Sequence, residues 1–214
     1  MFVIDTLIFD VSETLVNFGF RKVMKDMGFT GSCVGEIRAA IYDTGWWRKL
    51  DRGVITLEEA IKGICAEAEP YHRQVEYFVR NYGFFMTPLA NNICFLEAAH
   101  KSAKYRLFYL SDFHEHGWKI LTERNRFFKL FEGGIVSYEC HYLKPEREIF
   151  DHIAKRFDID RGRALFIDDR KKNTDKAREF GFHSLNFVQG DDIFVKAREF
   201  GIELDDSADI LKNL

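Results

Sequence analysis

The chain carries two kinds of hydrophobic pattern, and the change between them divides it. The apolar-rich run VIDTLI leads into Phe9 and Asp10, and the FVIDTLIFD segment predicts a buried strand. From about Phe20 to about Tyr82 the spacing turns helical, with breaks. VGEIRAAIYDTGWWRKL sets Val34, Ile37, Ile41 and Trp47 near one helical face. Thr56 followed by Glu59 is a capping-box pair and predicts a helix start in ITLEEAIKGICAEA. A further helix is expected from Tyr71 to Tyr82, ended by Gly83.

From Pro88 onward strands and helices alternate. LANNICFLEAAHKSA predicts a helix, YRLFYLSD a strand, GGIVSYE a strand and REIFDHIAKRFDI a helix. RALFIDD then predicts a strand, NTDKAREFG a helix and HSLNFV a strand. Such alternation implies crossover connections and a parallel sheet covered on both faces. The expected fold class is therefore α/β, a Rossmann-like three-layer core with an inserted all-helical cap. Residues 1–16 with 86–214 form that core and residues 17–85 the cap. KAREFG occurs twice, at Lys176–Gly181 and Lys196–Gly201, each copy reading as the last turn of a helix with glycine just beyond it.

Composition narrows the classes. At 214 residues the chain can bury one substantial core and still carry an insertion. Phe is abundant at 22 residues and Pro scarce at 3, which favours packed elements over linkers. A net charge of −3 is too small to steer a polyanion, so nucleic acid is not an expected partner. The four cysteines are widely spaced, form no metal-ligand pattern and read as free thiols in a reducing compartment. The N-terminus carries acids and no basic n-region, and no apolar run reaches the ~20 residues of a membrane span. A cytoplasmic protein, away from membranes, is expected.

Ligands of open parallel sheets bind beyond the carboxyl ends of the strands. The polar residues expected there are Asp10, Ser111 with Asp112, and Asp168 with Asp169, while Lys144 follows the IVSYE strand at loop distance. Acids at that density repel unless a cation sits among them, and all-oxygen ligation suits Mg²⁺. Ser111, Lys144 and loop N–H groups could hold a phosphate beside it.

FDVSETL, YLSD, YLKPEREIF and FIDDRKKN, in this order and spacing, resemble the four motifs of the haloacid dehalogenase-like (HAD) hydrolase superfamily. The insertion between the first two resembles that family's helical cap of the first type. KPE and DDxxxN are most similar to its small sugar-phosphate phosphatases, such as bacterial glucose-1-phosphate phosphatases. The resemblance implies a Mg²⁺-dependent phosphatase acting on a small phosphorylated metabolite, as a monomer or homodimer. It implies that Asp10 attacks phosphorus and forms an aspartyl-phosphate. Asp169, the Asp10 carboxylate and the Ser12 carbonyl would hold the metal, with Asp168 and Asn173 supporting them. Lys144 would neutralise nucleophile and phosphate, and Ser111 would bond a phosphoryl oxygen.

The chain departs from the family at Ser12, where most of its phosphatases carry a second Asp that protonates the leaving alkoxide and later activates water. General acid–base help of this kind is worth roughly 10²–10⁴-fold. Glu13, the carboxylate in the loop after Asp10, or a bound water is the expected substitute, or else the substrate carries a good leaving group such as an anomeric phosphate. Three other readings follow from Ser12: a phosphonate hydrolase using Lys49 or Lys62, a dehalogenase, and a binding protein that keeps the fold without turnover. Substrate contacts are expected from Asp112, Asn173 and His114 at the core rim and from Trp46, Trp47 and Arg48 on the cap. Arg52, His116, Phe113 and Trp118 are further candidates nearby.

Overall fold

A computed structural model of the chain describes residues 3–204. The expected strand residue Phe2 and the expected core residues 205–214 lie outside the described range. Five strands form one parallel sheet: Thr6–Phe9 (β1), Arg106–Ser111 (β4), Gly133–Val136 (β5), Ala164–Asp168 (β6) and His183–Asn186 (β7). Their spatial order is β5-β4-β1-β6-β7. β1 lies at the centre, pairing Phe9 with Tyr109 of β4 on one side and with Ile167 of β6 on the other.

Successive side chains of a strand point to opposite faces, and the core divides accordingly. Leu7, Phe9, Leu165 and Ile167 enter one apolar cluster with Phe95 and Leu96 of Ala90–Ser102 (α6), a cluster that continues into the cap. Ile8, Phe108, Leu110 and Phe166 enter the other. There they meet Ile149, Phe150 and Ile153 of Arg147–Arg156 (α9) and Ala177 of Lys171–Glu179 (α10). Helices Glu115–Arg124 (α7) and Ile193–Arg198 (α11) complete the surrounding layers, giving the expected three-layer α/β core.

Between β1 and α6 the chain leaves through Val16–Asn17 (β2) and returns through Thr87–Pro88 (β3), a short antiparallel pair. The segment between them holds five helices: Phe20–Asp26 (α1), Cys33–Tyr42 (α2), Trp46–Asp51 (α3), Leu57–Ala66 (α4) and His72–Asn81 (α5). Aromatic packing joins them. Phe78 of α5 lies 5.1 Å from Phe20, 6.1 Å from Trp47 and 5.7 Å from Tyr82, ring centre to ring centre. Truncating a fully buried Phe of this kind costs about 3–5 kcal/mol. The Thr56–Glu59 capping box is formed in both directions at the start of α4.

Local differences have local causes. SYE of GGIVSYE is not strand: β5 stops at Val136 and Ser137–Cys140 (α8) is one helical turn, closed by His141 in the left-handed region. Gly83 does not end the last cap helix as a left-handed cap. α5 stops at Asn81 and Tyr82–Phe85 continues as a tighter 3₁₀ turn that includes it. Both KAREFG glycines do adopt positive φ, 95° at Gly181 and 74° at Gly201, the conformation a helix C-terminus demands and a Cβ disfavours. No helix among the described residues is long and apolar enough to cross a membrane.

Candidate active site

Asp10 follows β1 directly, and its N–H donates to the Ile167 carbonyl at 2.8 Å, so the residue stays in register with β6. The chain then folds back. Leu15 and Val16 donate to the Val11 carbonyl at 2.8 and 3.0 Å, while Glu13 takes a left-handed φ of 60°. This tight loop turns the Asp10 carboxylate toward the ends of β4 and β6. Its Oδ1 accepts from the Val11 N–H at 2.7 Å and from Ser111 Oγ at 3.1 Å, and Lys144 Nζ stands 2.7 Å away. Three donors hold one oxygen and leave Oδ2 for chemistry.

Lys144 reaches the same point from the loop after α8. Its Nζ donates to Asp168 Oδ2 at 2.8 Å and its backbone N–H donates to Asp112 at 2.9 Å. Burial works against the ammonium, but the charges of Asp10, Asp168 and Asp112 outweigh it and hold Lys144 above the ordinary lysine range. Asp168 is saturated: Asn173 Nδ2 donates to both its oxygens, the Arg170 N–H to Oδ1 and Lys144 to Oδ2. A carboxylate offers about four acceptor positions, and all are taken.

Oxygens of Asp10, Asp168 and Asp169 lie within 4.8 Å of one another. Burial pushes Asp10 up to about 7; Lys144 opposes this, while Asp168 and Asp169 add to it. Burial and the Asp168 charge push Asp169 up to about 6. Carboxylates that resist ionising together fit a divalent cation, which relieves their repulsion. The donor set is oxygen only, the preference of Mg²⁺ rather than of a soft metal. Asp169 and the free oxygen of Asp10 are the donors such an ion would meet first, with Ser12 beside them in the same cavity.

That cavity, about 420 Å³, lies between core and cap. The structure brings Asp10, Ser12, Glu13, Asp112, Lys144, Asp169, Asn173, Trp47 and Arg48 to its wall. Ser111 and Asp168 stand buried behind it, acting on Asp10 and Lys144. Two residues expected to face substrate are elsewhere. Trp46 packs on Gly63, where a Cβ would collide with the indole, and Lys49 covers its ring at 4.6 Å. His114 is buried, caps α7 through Nδ1 and meets the ring of Trp47 at 5.3 Å. Burial pushes its imidazole down to about 3, so it is neutral.

The other candidates divide similarly. Phe113 lines the cavity, whereas Trp118 packs against Tyr109 and Phe128. His116 faces the Arg80 carbonyl at 2.9 Å, and Arg52 grips Glu146 of the core. Glu13 is spoken for locally: its Oε1 accepts from the Phe18 and Gly19 N–H groups, both at 2.6 Å, fastening the chain as it enters the cap.

Sequence reasoning missed Asp51, Tyr42, Tyr82 and Arg170, all of which line the cavity. Arg170 had a signal in its place directly after Asp169. Asp51 and Tyr42 had none, because only the packing of α2 against α3, and of α3 on the core, brings them there.

Three strand-end motifs and the Lys144 loop, assembled under a helical cap, agree with the wider comparison. The chain belongs to the haloacid dehalogenase-like hydrolase family, whose model matches residues 4–181. Among characterised proteins it is similar to sesquiterpene phosphatase astK of Aspergillus oryzae, 20% identical over 178 residues, covering 79% of this chain and 90% of that protein. Among solved structures it resembles HAD family enzyme bt-2542 of Bacteroides thetaiotaomicron in complex with magnesium and inorganic phosphate. That match has a TM-score of 0.70 and 25% identity, over 89% of this chain and 97% of the other. A predicted HAD-like family hydrolase of Porphyromonas gingivalis shares the fold at a TM-score of 0.72 and 20% identity, over 94% and 99% of the two chains.

Proposed function

We propose that the protein is a magnesium-dependent phosphomonoester hydrolase that works through an aspartyl-phosphate on Asp10. The observation that carries this reading is the Asp10 carboxylate itself, with one oxygen held by Lys144, Ser111 and the Val11 N–H and the other clear beside Asp169. Phosphoryl transfer asks mainly for placement and charge compensation. Here the placement comes from the β1 terminus and the compensation from Lys144. Magnesium, held by Asp10, Asp169 and the Ser12 carbonyl, would add positive charge for the phosphoryl oxygens. The relatives support this reading: one is a phosphatase and another binds magnesium with phosphate.

The substrate is a small phosphorylated metabolite whose body presents an apolar or ring face. Phe18, Phe20, Tyr42, Trp47, Tyr82 and Phe113 line the cavity around the polar floor and suit such a face better than a bare polyol. The phosphonate reading is less well supported, since Lys49 and Lys62 are exposed and neither lines the cavity.

The test is phosphate release from a panel of sugar phosphates, aryl phosphates and prenyl-type monophosphates, with Mg²⁺ and with a chelator. Turnover that depends on Mg²⁺ and disappears in Asp10→Asn is expected. A panel without turnover would favour a binding protein that keeps the fold.

A further inference from the structure

The serine at position 12 leaves open how the leaving oxygen gains its proton, and the cap offers an answer. Asp51, the last residue of α3, lines the same cavity as Asp10 but reaches it from the cap. Its position is built rather than incidental. Ser137 Oγ donates to the Asp51 carbonyl at 2.6 Å and accepts from the Phe113 N–H at 3.0 Å, tying the end of α3 to the core. The next residues continue the attachment. Arg52 donates to the His141 carbonyl at 2.9 Å and grips Glu146, and Gly53, at a φ of 70°, passes the Tyr138 carbonyl too closely for a Cβ.

We propose that Asp51 is the catalytic acid and base that takes over the work of the aspartate missing at Ser12. This rests on the phosphatase reading above. In-line transfer puts the leaving oxygen on the face of phosphorus turned away from Asp10, which is the cap side of the cavity. The other cavity carboxylates outside the metal group stand on core loops and accept backbone N–H groups. Asp112 accepts the Lys144 N–H, and Glu13 accepts two backbone N–H groups at the cap entrance. Near Asp51 the Tyr42 hydroxyl is buried and has no hydrogen-bond partner among the described residues.

The surroundings suit a carboxyl that keeps its proton. Burial holds Asp51 well above the usual carboxylate range and the charge of Asp112 adds to this. Arg170, the His114 backbone N–H and the Trp47 indole oppose it, and Tyr42 and Tyr82 face it from the cap. Asp10 attacks phosphorus as the bond to the leaving oxygen breaks, and Asp51 gives that oxygen its proton, so an alcohol departs. The Asp51 carboxylate then takes a proton from the water that attacks the aspartyl-phosphate. Inorganic phosphate is released, and the Asp10 carboxylate and the protonated Asp51 are restored.

The experiment compares kcat/KM for an alkyl phosphate and for 4-nitrophenyl phosphate, whose leaving group needs no acid, in Mg²⁺. In Asp51→Asn the alkyl ester is expected to slow by roughly 10²–10⁴-fold and the nitrophenyl ester by less than about tenfold. The alkaline limb of the alkyl pH profile should disappear with it, and Ser12→Asp added to Asp51→Asn should restore alkyl turnover. Equal losses on both esters, or none, would overturn the assignment. The unmutated protein supplies a second reading should the variant not fold. A shallow dependence of kcat/KM on leaving-group pKa supports a proton donor, and a steep one overturns it. If the parent hydrolyses neither ester, the phosphatase reading itself falls and this inference with it.

Discussion

The Lys144 ammonium stands 2.7 Å from Asp10 Oδ1, with both side chains withdrawn from water. It is also 2.8 Å from Asp168, so a single buried cation compensates two buried anions. Breaking a buried pair by removing one partner is costly, at about 3–5 kcal/mol, because the other charge is left unpaired. Lys144→Met is therefore expected to lower the melting temperature by more than about 5 °C and to abolish turnover. A variant with parental melting and activity would show that Lys144 is dispensable.

Ser12 is assigned a role through its backbone carbonyl, which any residue supplies. Ser12→Ala should keep kcat/KM within about threefold of the parent and leave the Mg²⁺ requirement unchanged. A loss beyond about tenfold, measured on the substrate that the parent turns over best, would mean that the hydroxyl itself takes part.

Glu13 holds the cap entrance through two N–H groups at 2.6 Å. Glu13→Ala leaves both donors without an acceptor and should destabilise the fold by about 1–3 kcal/mol. Glu13→Gln keeps an acceptor oxygen, and its pH–rate profile should overlay that of the parent. A profile that loses a limb in Glu13→Gln would return the proton-transfer role to this residue.

His114 gives a pH dependence of known sign. Its folded pKa, about 3, lies below the ordinary value near 6.5, so folding favours the neutral ring. The contribution is present above about pH 6.5 and is lost as pH falls toward 3, at roughly 1.4 kcal/mol per pH unit. Denaturant titrations from pH 7 to 4 should show that slope in the parent and a shallower one in His114→Phe. Equal slopes would place the ring in water.

How much of this was legible in the sequence follows from how local each signal is. The β1, β4 and β6 strands announce themselves as apolar runs, and each delivers its polar residue to the same edge, so Asp10, Ser111, Asp168 and Asp169 could be gathered without coordinates. Asn173 could be placed too, because it stands five positions after Asp168, in the first turn of α10. The cap was less readable. Trp46 and Trp47 are neighbours on a helix and must point apart; the helical spacing puts Trp47 on the apolar face, and only the packing of α3 shows that this leaves Trp46 out of the cavity. His114 is expected at the rim because it follows Ser111 and Asp112; only the packing of Trp47 and Tyr82 around it shows it buried. Asp51 lies in a cap helix remote from every motif, and its place in the cavity depends on the Ser137 and Arg52 contacts.

The central claim is that Asp10 carries the phosphoryl group. Rapid mixing with substrate and Mg²⁺, acid quenching and peptide mass spectrometry tests it directly. A phosphoryl adduct on the peptide containing Asp10, formed and lost at rates compatible with turnover and absent in Asp10→Asn, is the predicted result. Turnover without any adduct at Asp10, and its persistence in Asp10→Asn, would contradict the account.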